Sequence, residues 1–158
     1  MNAGNHMKNQ SARNLCSFAL IVFFMCYSVS VRALDNPDAP DYVGDFMNRA
    51  QVYELNIQRT AHTTQGYLTA YAAYENFLDQ ELNNAYTQLM THLNDKTQQT
   101  LRDSQRKWLK YRNAEFSFIT HNWTTKNFGS ASVISRGDYR TKLIKDRVVT
   151  LFQYLKNY

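Results

Sequence analysis

The clearest helical pattern of the chain lies in residues 64–93, TQGYLTAYAAYENFLDQELNNAYTQLMTHL. Its apolar residues recur mostly at spacings of three and four, which places them on one face of an α-helix. They are Leu68, Tyr71, Ala72, Leu78, Leu82, Tyr86, Leu89 and Leu93. The stretch therefore predicts a long amphipathic helix, which ends where the polar pair Asn94-Asp95 begins.

Helical patterns also lie on both sides of this stretch. Residues 46–59 could form a short first helix, and residues 136–157 predict a last one after a loop at residues 129–135. Residues 97–122 predict a helix whose inward side carries Leu101, Trp108, Tyr111, Phe118 and Ile119. No proline follows Pro40, and no strand-like alternation is sustained. The sequence thus predicts an all-α fold, an antiparallel bundle of three to four helices.

The N-terminal segment has the pattern of a secretory signal peptide. Lys8 and Arg13 precede an uncharged apolar run at residues 15–31, and Val31-Arg32-Ala33 is a small-residue cleavage site. Either Met1 or Met7 could start such a signal. The alternative is an uncleaved membrane anchor, because the apolar run is at the lower limit of length for spanning a bilayer.

We therefore expect three parts: a signal peptide at residues 1–33, an acidic lead-in with the short helix at residues 34–62, and a helical domain at residues 63–158. Both cysteines, Cys16 and Cys26, lie in the first part. Cleavage would leave a periplasmic or secreted protein without thiol or disulfide chemistry, although its compartment would permit disulfides.

Charge divides the exported part of the chain into two halves. Residues 34–95 contain two basic and nine acidic residues, whereas residues 96–158 contain 13 basic and four acidic residues. This asymmetry indicates a charged partner, intramolecular pairing of the two halves, or both. In the acidic half, Glu75, Asp79 and Glu81 lie close together in the sequence and are the candidate contacts for a partner.

No motif of an enzyme or of a metal site is found in the sequence. The histidines are scattered, and neither a G-x-S-x-G, an H-E-x-x-H nor a Gly-rich phosphate loop occurs. A run of basic residues could suit nucleic acid, but export argues against that partner. The run comprises Arg102, Arg106, Lys107, Lys110 and Arg112. We expect no enzyme, no cofactor, no metal and no nucleic acid, and a membrane contact only through an uncleaved signal segment.

One block carries a recognisable family pattern. LRDSQRKWLKYRNAE, residues 101–115, resembles the L-x-x-(A/S)-Q-R-x-W-L-x-Y-R-(D/N)-A-E segment of the LprI-like lysozyme-inhibitor family. LNNAYTQL at residues 82–89 is similar to the L-N-x-x-Y-x-x-L helix of that family, and Gly129-Ser130 to its G-G-S loop. The resemblance covers residues 64–155.

The resemblance implies a fold-forming role for the signature residues of this block, which are Gln105, Trp108, Tyr111, Arg112 and Glu115. We expect Trp108 at the centre of the core and Arg112 paired with an acid on a neighbouring helix. The family usually carries cysteines at three points at or near which this chain has Tyr71, Phe116 and Tyr139. We expect buried aromatic packing to replace disulfides at these points.

For function, the resemblance implies an exported binding protein that inhibits or masks a lysozyme-type cell-wall hydrolase. If that hydrolase is basic, the acidic half of this chain would attract it and speed its encounter. Two alternatives remain open. One is a structural envelope protein that binds anionic lipid or polymer through its basic half, and the other is an immunity protein against a secreted toxin.

Overall fold

The computed structural model describes residues 40–60 and 62–158, and the expected signal segment lies outside them. In the described residues, four long helices and one single-turn helix follow one another. They are α1 (Tyr42–Arg59), α2 (Thr64–His92), α3 (Asp95–Asn122), α4 (Thr125–Phe128) and α5 (Ala131–Leu155). The prediction of an all-α helical bundle is confirmed. None of these helices is both long and apolar enough to cross a membrane.

Short polar side chains begin the first three helices. Asp41, Thr63 and Asn94 each accept a hydrogen bond, of 2.9–3.0 Å, from the backbone N–H three residues further on. Each bond satisfies one of the donors that the first turn of a helix leaves without an internal partner. Because Leu93 and Asn94 alone separate α2 from α3, the chain reverses sharply there and the two helices run antiparallel.

The parallel helices α2 and α5 form the centre of the bundle and pack most closely against each other. Near their N-terminal ends, Tyr71 of α2 meets Asp138 of α5, and Glu75 meets Arg140. The helices α1 and α3 run antiparallel to this pair and lie on opposite sides of it. The core that results is made of apolar residues from all four long helices, among them Phe46, Ala50, Phe77, Leu78, Leu82, Leu89, Leu101, Ile144, Val148, Leu151, Phe152 and Leu155.

The helix α1 is an integral part of this bundle. The expected short helix at residues 46–59 begins earlier, at Tyr42, because Asp41 caps it. Its Phe46 and Ala50 are fully buried, and the Phe46 ring lies 6.2 Å from that of Phe77 on α2 and 5.8 Å from that of Phe152 on α5. The acidic half of the chain therefore contributes both α1 and α2 to one common core.

The inward face of α3 differs from the predicted one. Tyr111 and Phe118, which were expected to face the core, are 52% and 57% exposed, and Trp108 packs at the edge of the core rather than at its centre. Only Leu101 and Ile119 of α3 are fully buried. The side chains of Gln105 and Arg112 face inward between Leu101 and Ile119. The prediction from apolar spacing therefore chose the wrong side of this helix. On α2, Leu68 and Ala72 are likewise exposed, because Ala70 and Tyr71 take the inward positions there.

The predicted loop at residues 129–135 is wrong in its larger part, since α5 begins at Ala131. Gly129 makes the turn before it with a φ of 60°, in the left-handed region that favours glycine. Ser132 and Val133 are buried, and the Ser132 hydroxyl donates a 2.8 Å hydrogen bond to the Gly129 carbonyl. Small polar residues indicated a loop here, but their burial against the bundle holds them in the helix.

Candidate functional site

The signature block attaches α3 to the central pair of helices through long polar and aromatic side chains. The Gln105 side chain accepts a 3.0 Å hydrogen bond from Nε of Arg147 on α5. Two turns further along α3, Nη1 of Arg112 lies 3.1 Å from Oδ1 of Asp79 on α2. Both guanidinium groups also lie against the Trp108 ring, with Cζ 5.6 Å (Arg112) and 5.8 Å (Arg147) from its centroid. The prediction that Arg112 pairs with an acid on a neighbouring helix is confirmed.

The next turn of α3 continues this pattern at Phe116. Cζ of Arg140 on α5 lies 4.3 Å from the centroid of the Phe116 ring, and Nη2 of Arg140 donates a 3.0 Å hydrogen bond to Glu75 on α2. Burial raises the pKa of Glu75; the Arg140 cation opposes this increase and the neighbouring Asp79 carboxylate adds to it. We call the whole interface the signature seam: Gln105, Trp108, Arg112 and Phe116 of α3 with Glu75, Asp79, Arg140 and Arg147.

The three acids that were predicted to contact a partner do not form one patch. Glu75 and Asp79 face the signature seam, whereas Glu81 faces α1, where both of its oxygens accept hydrogen bonds from Arg49 at 2.7 and 2.8 Å. Their side chains are 22% (Glu75), 49% (Asp79) and 11% (Glu81) exposed. Each acid thus has a cationic partner within the chain. Their role as partner contacts stays a prediction.

Part of the charge division of the sequence is paired within the chain. Among the described residues, three ion pairs join the acidic half to the basic half. They are Asp79–Arg112, Glu75–Arg140 and Glu54–Lys145. The last is a 2.7 Å contact between α1 and α5. One of the two interpretations of the charge asymmetry, pairing of the halves, is therefore present in the fold.

The outward side of α3 carries a stripe of exposed residues, which we call the α3 stripe: Lys107, Lys110, Tyr111, Ala114 and Phe118. Within the described part of the chain, neither Lys107 nor Lys110 has an ion-pair or hydrogen-bond partner. Tyr111 and Phe118 present more than half of their surface to solvent. The stripe therefore combines two free cations with two exposed aromatic rings on one helix face.

Two aromatic residues outside α3 extend the stripe at its C-terminal end. The Trp123 ring meets Phe118 edge-on at a centroid distance of 5.9 Å, and Tyr139 of α5 lies 4.5 Å from Trp123. Together with Glu115 they border a surface groove of about 330 Å³. Trp123 was not among the residues predicted from the sequence, and Tyr139 was predicted to be buried. The sequence feature that could have indicated them is the large number of aromatic residues around the end of α3. The core does not bury all of these rings.

Of the three aromatic residues at or near the cysteine points of the family, only Tyr71 is fully buried. Phe116 is half-buried in the signature seam, and Tyr139 is exposed. The expectation that aromatic packing replaces disulfides thus fits Tyr71 and in part Phe116, but it is wrong for Tyr139. The reason is that Tyr139 lies on the outer side of α5, where its ring contacts that of Trp123 at an interplanar angle of 40°.

A cleft of about 880 Å³ lies between α1, the start of α2, and α5. The Tyr71 hydroxyl donates a 2.6 Å hydrogen bond to Asp138, and the Tyr74 hydroxyl donates a 2.7 Å bond to Glu54, which also binds Lys145. Burial raises the pKa of both tyrosines, and the hydrogen bonds to the carboxylates raise them further. Burial alone would raise the pKa of Glu54, but the bonds from Lys145 and Tyr74 outweigh it and lower that pKa.

These hydrogen bonds connect three helices, so the side chains that make them serve the fold. Among the described residues, no group of three or more His, Cys, Asp or Glu side chains is placed to hold a metal ion. The α3 stripe, with its free cations and exposed rings, is accordingly the strongest candidate for contact with a partner.

One comparison with known proteins identifies a family for this chain. Residues 56–151 match the family model described as "Lysozyme inhibitor LprI". The match begins within α1 and ends within α5, so it includes the signature seam and the α3 stripe. No curated protein and no solved structure matches the chain.

Proposed function

Because the chain belongs to the LprI lysozyme inhibitor family, we propose that it is an exported binding protein that inhibits or masks a lysozyme-type cell-wall hydrolase. The observation that carries the proposal is the family match over residues 56–151. The matched family is one of inhibitors rather than of catalysts. The protein would act in the periplasm or outside the cell after removal of residues 1–33.

The fold supports inhibition by surface contact. Four long helices share one core, and Tyr71, Tyr74 and Lys145 in the cleft beside α1 already bind carboxylates of the same chain. A rigid bundle of this kind loses little conformational freedom on binding, which favours a tight complex. Inhibition would then follow because the bundle blocks access of the cell-wall polymer to the hydrolase.

The acids Glu75, Asp79 and Glu81 have a restricted part in this proposal. Direct contact through Glu75 or Glu81 would require breaking the ion pairs with Arg140 or Arg49. Asp79 is the most exposed of the three and could contact a basic partner while it keeps its bond to Arg112. The three carboxylates could also attract a basic hydrolase at long range, an effect that salt would screen over about 8–10 Å.

A turbidity assay tests the proposal. Purified protein is mixed with lysozyme, and the clearing of a suspension of cell-wall material is followed at increasing protein concentrations. We expect clearing to slow and to stop at a stoichiometric ratio. A panel of c-type, g-type and phage-type lysozymes covers the different hydrolase folds. The proposal fails if no member of the panel binds or is slowed at any concentration, while circular dichroism shows the chain to be helical.

A further inference from the structure

We infer that the α3 stripe enters the substrate cleft of the hydrolase and that Lys107 and Lys110 face the catalytic carboxylates there. This inference rests on the proposed function and identifies the surface and the chemistry that it uses. It differs from the sequence-based hypothesis, which placed the contact on the acids of α2.

Lys107 and Lys110 carry positive charges that are available to a partner. Five cations of the basic half have carboxylate partners among the described residues, such as Arg112 with Asp79 and Lys142 with Asp146 at 2.6 Å. Lys107 and Lys110 have none among the described residues, and both are exposed. Two ammonium groups one helical turn apart are therefore free to pair with acids on another molecule.

The active site of a glycoside hydrolase offers negative charges to these lysines. Glycoside hydrolases typically hold a pair of carboxyl groups on either side of the bond that they cleave. Such a cleft is locally acidic even in a hydrolase whose overall charge is basic. Two free lysines on one helix face complement this pair of acids, and charge complementarity of this kind fixes both the partner and the register of the contact.

The α3 stripe also presents exposed aromatic rings to a partner. Tyr111 and Phe118 continue the stripe on the same face, and Trp123 extends it at one end. Tyr, Trp and Phe are enriched in the buried centres of protein interfaces, where large rings contribute most of the binding free energy. From Lys107 to Phe118 the helix rises about 16 Å, so the stripe is long enough to lie along an extended polysaccharide cleft.

The signature seam explains how the stripe is presented. Gln105, Trp108 and Arg112 fix the rotation of α3 about its axis, since each contacts α2 or α5. The opposite side of the helix is thereby held toward solvent. These three signature residues would thus orient the binding face, whereas Tyr111 of the same block belongs to it.

The inference is tested with two double variants and a matched control. Lys107→Gln/Lys110→Gln removes the two free cations, and Tyr111→Ala/Phe118→Ala removes the rings. The control Arg59→Gln/Lys96→Gln removes two exposed cations from outside the stripe. Circular dichroism checks that all three variants fold. Inhibition constants are measured against a lysozyme that the wild-type chain inhibits.

We expect each stripe variant to weaken inhibition about tenfold or more, and the control to stay within about twofold. An N-acetylglucosamine oligosaccharide that occupies the cleft should compete with the wild-type chain for the hydrolase. If the wild-type chain inhibits while both stripe variants inhibit equally well, or if the oligosaccharide does not compete, the inference is wrong and the proposed function stands. If the wild-type chain inhibits no lysozyme, both fail.

Vesicles of anionic phospholipid provide the remaining arm of the test. The inference predicts that the chain does not sediment with them at physiological salt. Sedimentation that depends on Lys107 and Lys110, together with unchanged inhibition in the lysine variant, would assign these residues to lipid and overturn the inference.

Discussion

Arg112 of α3 reaches Asp79 of α2 across the bundle, with 3.1 Å between Nη1 and Oδ1. The guanidinium group is mostly buried between the helices, while half of the Asp79 side chain is exposed. This pair joins the signature block to the acidic half of the chain. Asp79, one of the three acids predicted to contact a partner, is therefore not an unpaired charge.

We predict that the pair stabilises the fold modestly and that Arg112 contributes more than its charge. Arg112→Ala should lower the free energy of unfolding by about 1–2 kcal/mol, because its guanidinium also packs on Trp108 and Phe116. Asp79→Ala should cost less. Urea unfolding of both single variants and the double variant should give a coupling energy of about 0.5–1 kcal/mol. A coupling energy of zero would show that the pair does not contribute.

Three aromatic residues should rank in stability by their burial. Phe152 is fully buried, so Phe152→Ala should cost about 3–5 kcal/mol. Trp108 lies at the edge of the core, and Trp108→Ala should cost about 2 kcal/mol. Tyr111 is exposed, and its replacement by alanine should change stability by about 0.5 kcal/mol or less. A Tyr111→Ala variant as unstable as Trp108→Ala would place the tyrosine in the core after all.

The helices of this fold could be predicted from the sequence because they depend on local signals. The apolar stripe of α2, the capping residue Asn94 and the absence of proline after Pro40 each operate within a few residues. The start of α5 was missed because nothing local distinguishes the small polar residues of a loop from those of a buried helix turn. Burial of Ser132 is a property of the assembled bundle.

The binding face was harder to predict for a related reason. A helix that turns Gln105 and Arg112 inward and Tyr111 and Phe118 outward reverses the usual relation between polarity and burial. Hydrophobic spacing alone cannot detect this reversal. The pairing of Arg112 was predictable, because a long cation on α3 has acids within reach on the neighbouring helix. Which acid it binds depends on the register of the two helices.

Gly137 illustrates a close approach between α2 and α5. It lies inside α5, where alanine would improve helix propensity by about 1 kcal/mol. A Cβ at this position would, however, overlap Cγ and Cδ1 of the Tyr71 ring, which the Asp138 hydrogen bond holds in place. We predict that Gly137→Ala lowers the free energy of unfolding by about 1–3 kcal/mol.

Thermal unfolding measures this cost, and the same substitution in a Tyr71→Leu background is its control. With the ring removed, alanine at position 137 should become neutral or stabilising. An equal loss of stability in both backgrounds would mean that the ring is not the cause.

Alkaline titration should distinguish Tyr71 and Tyr74 from the exposed tyrosines. The pKa of each lies above the usual 10.0, because burial and a carboxylate partner disfavour the phenolate. Their contribution to stability is therefore complete below pH 10 and is lost as the pH rises toward their folded-state pKa values. Absorbance at 295 nm should show two tyrosines that ionise only as the helices unfold.

The variants Tyr71→Phe and Tyr74→Phe provide the check for this titration. Each should remove one late-ionising group from the absorbance curve and leave the early phase unchanged. If all tyrosines ionise near pH 10 while circular dichroism still shows native helicity, the two hydroxyls are not buried.

Zero-length cross-linking of the complex with lysozyme shows directly which residues of the two proteins touch. Carbodiimide joins an amine to a carboxylate only when the two are in contact, and peptide mass spectrometry then identifies both residues. We predict that Lys107 and Lys110 are joined to carboxylates that line the substrate cleft of the hydrolase. Cross-links from Glu75, Asp79 or Glu81 to surface lysines of the hydrolase, with Lys107 and Lys110 unmodified, would contradict it.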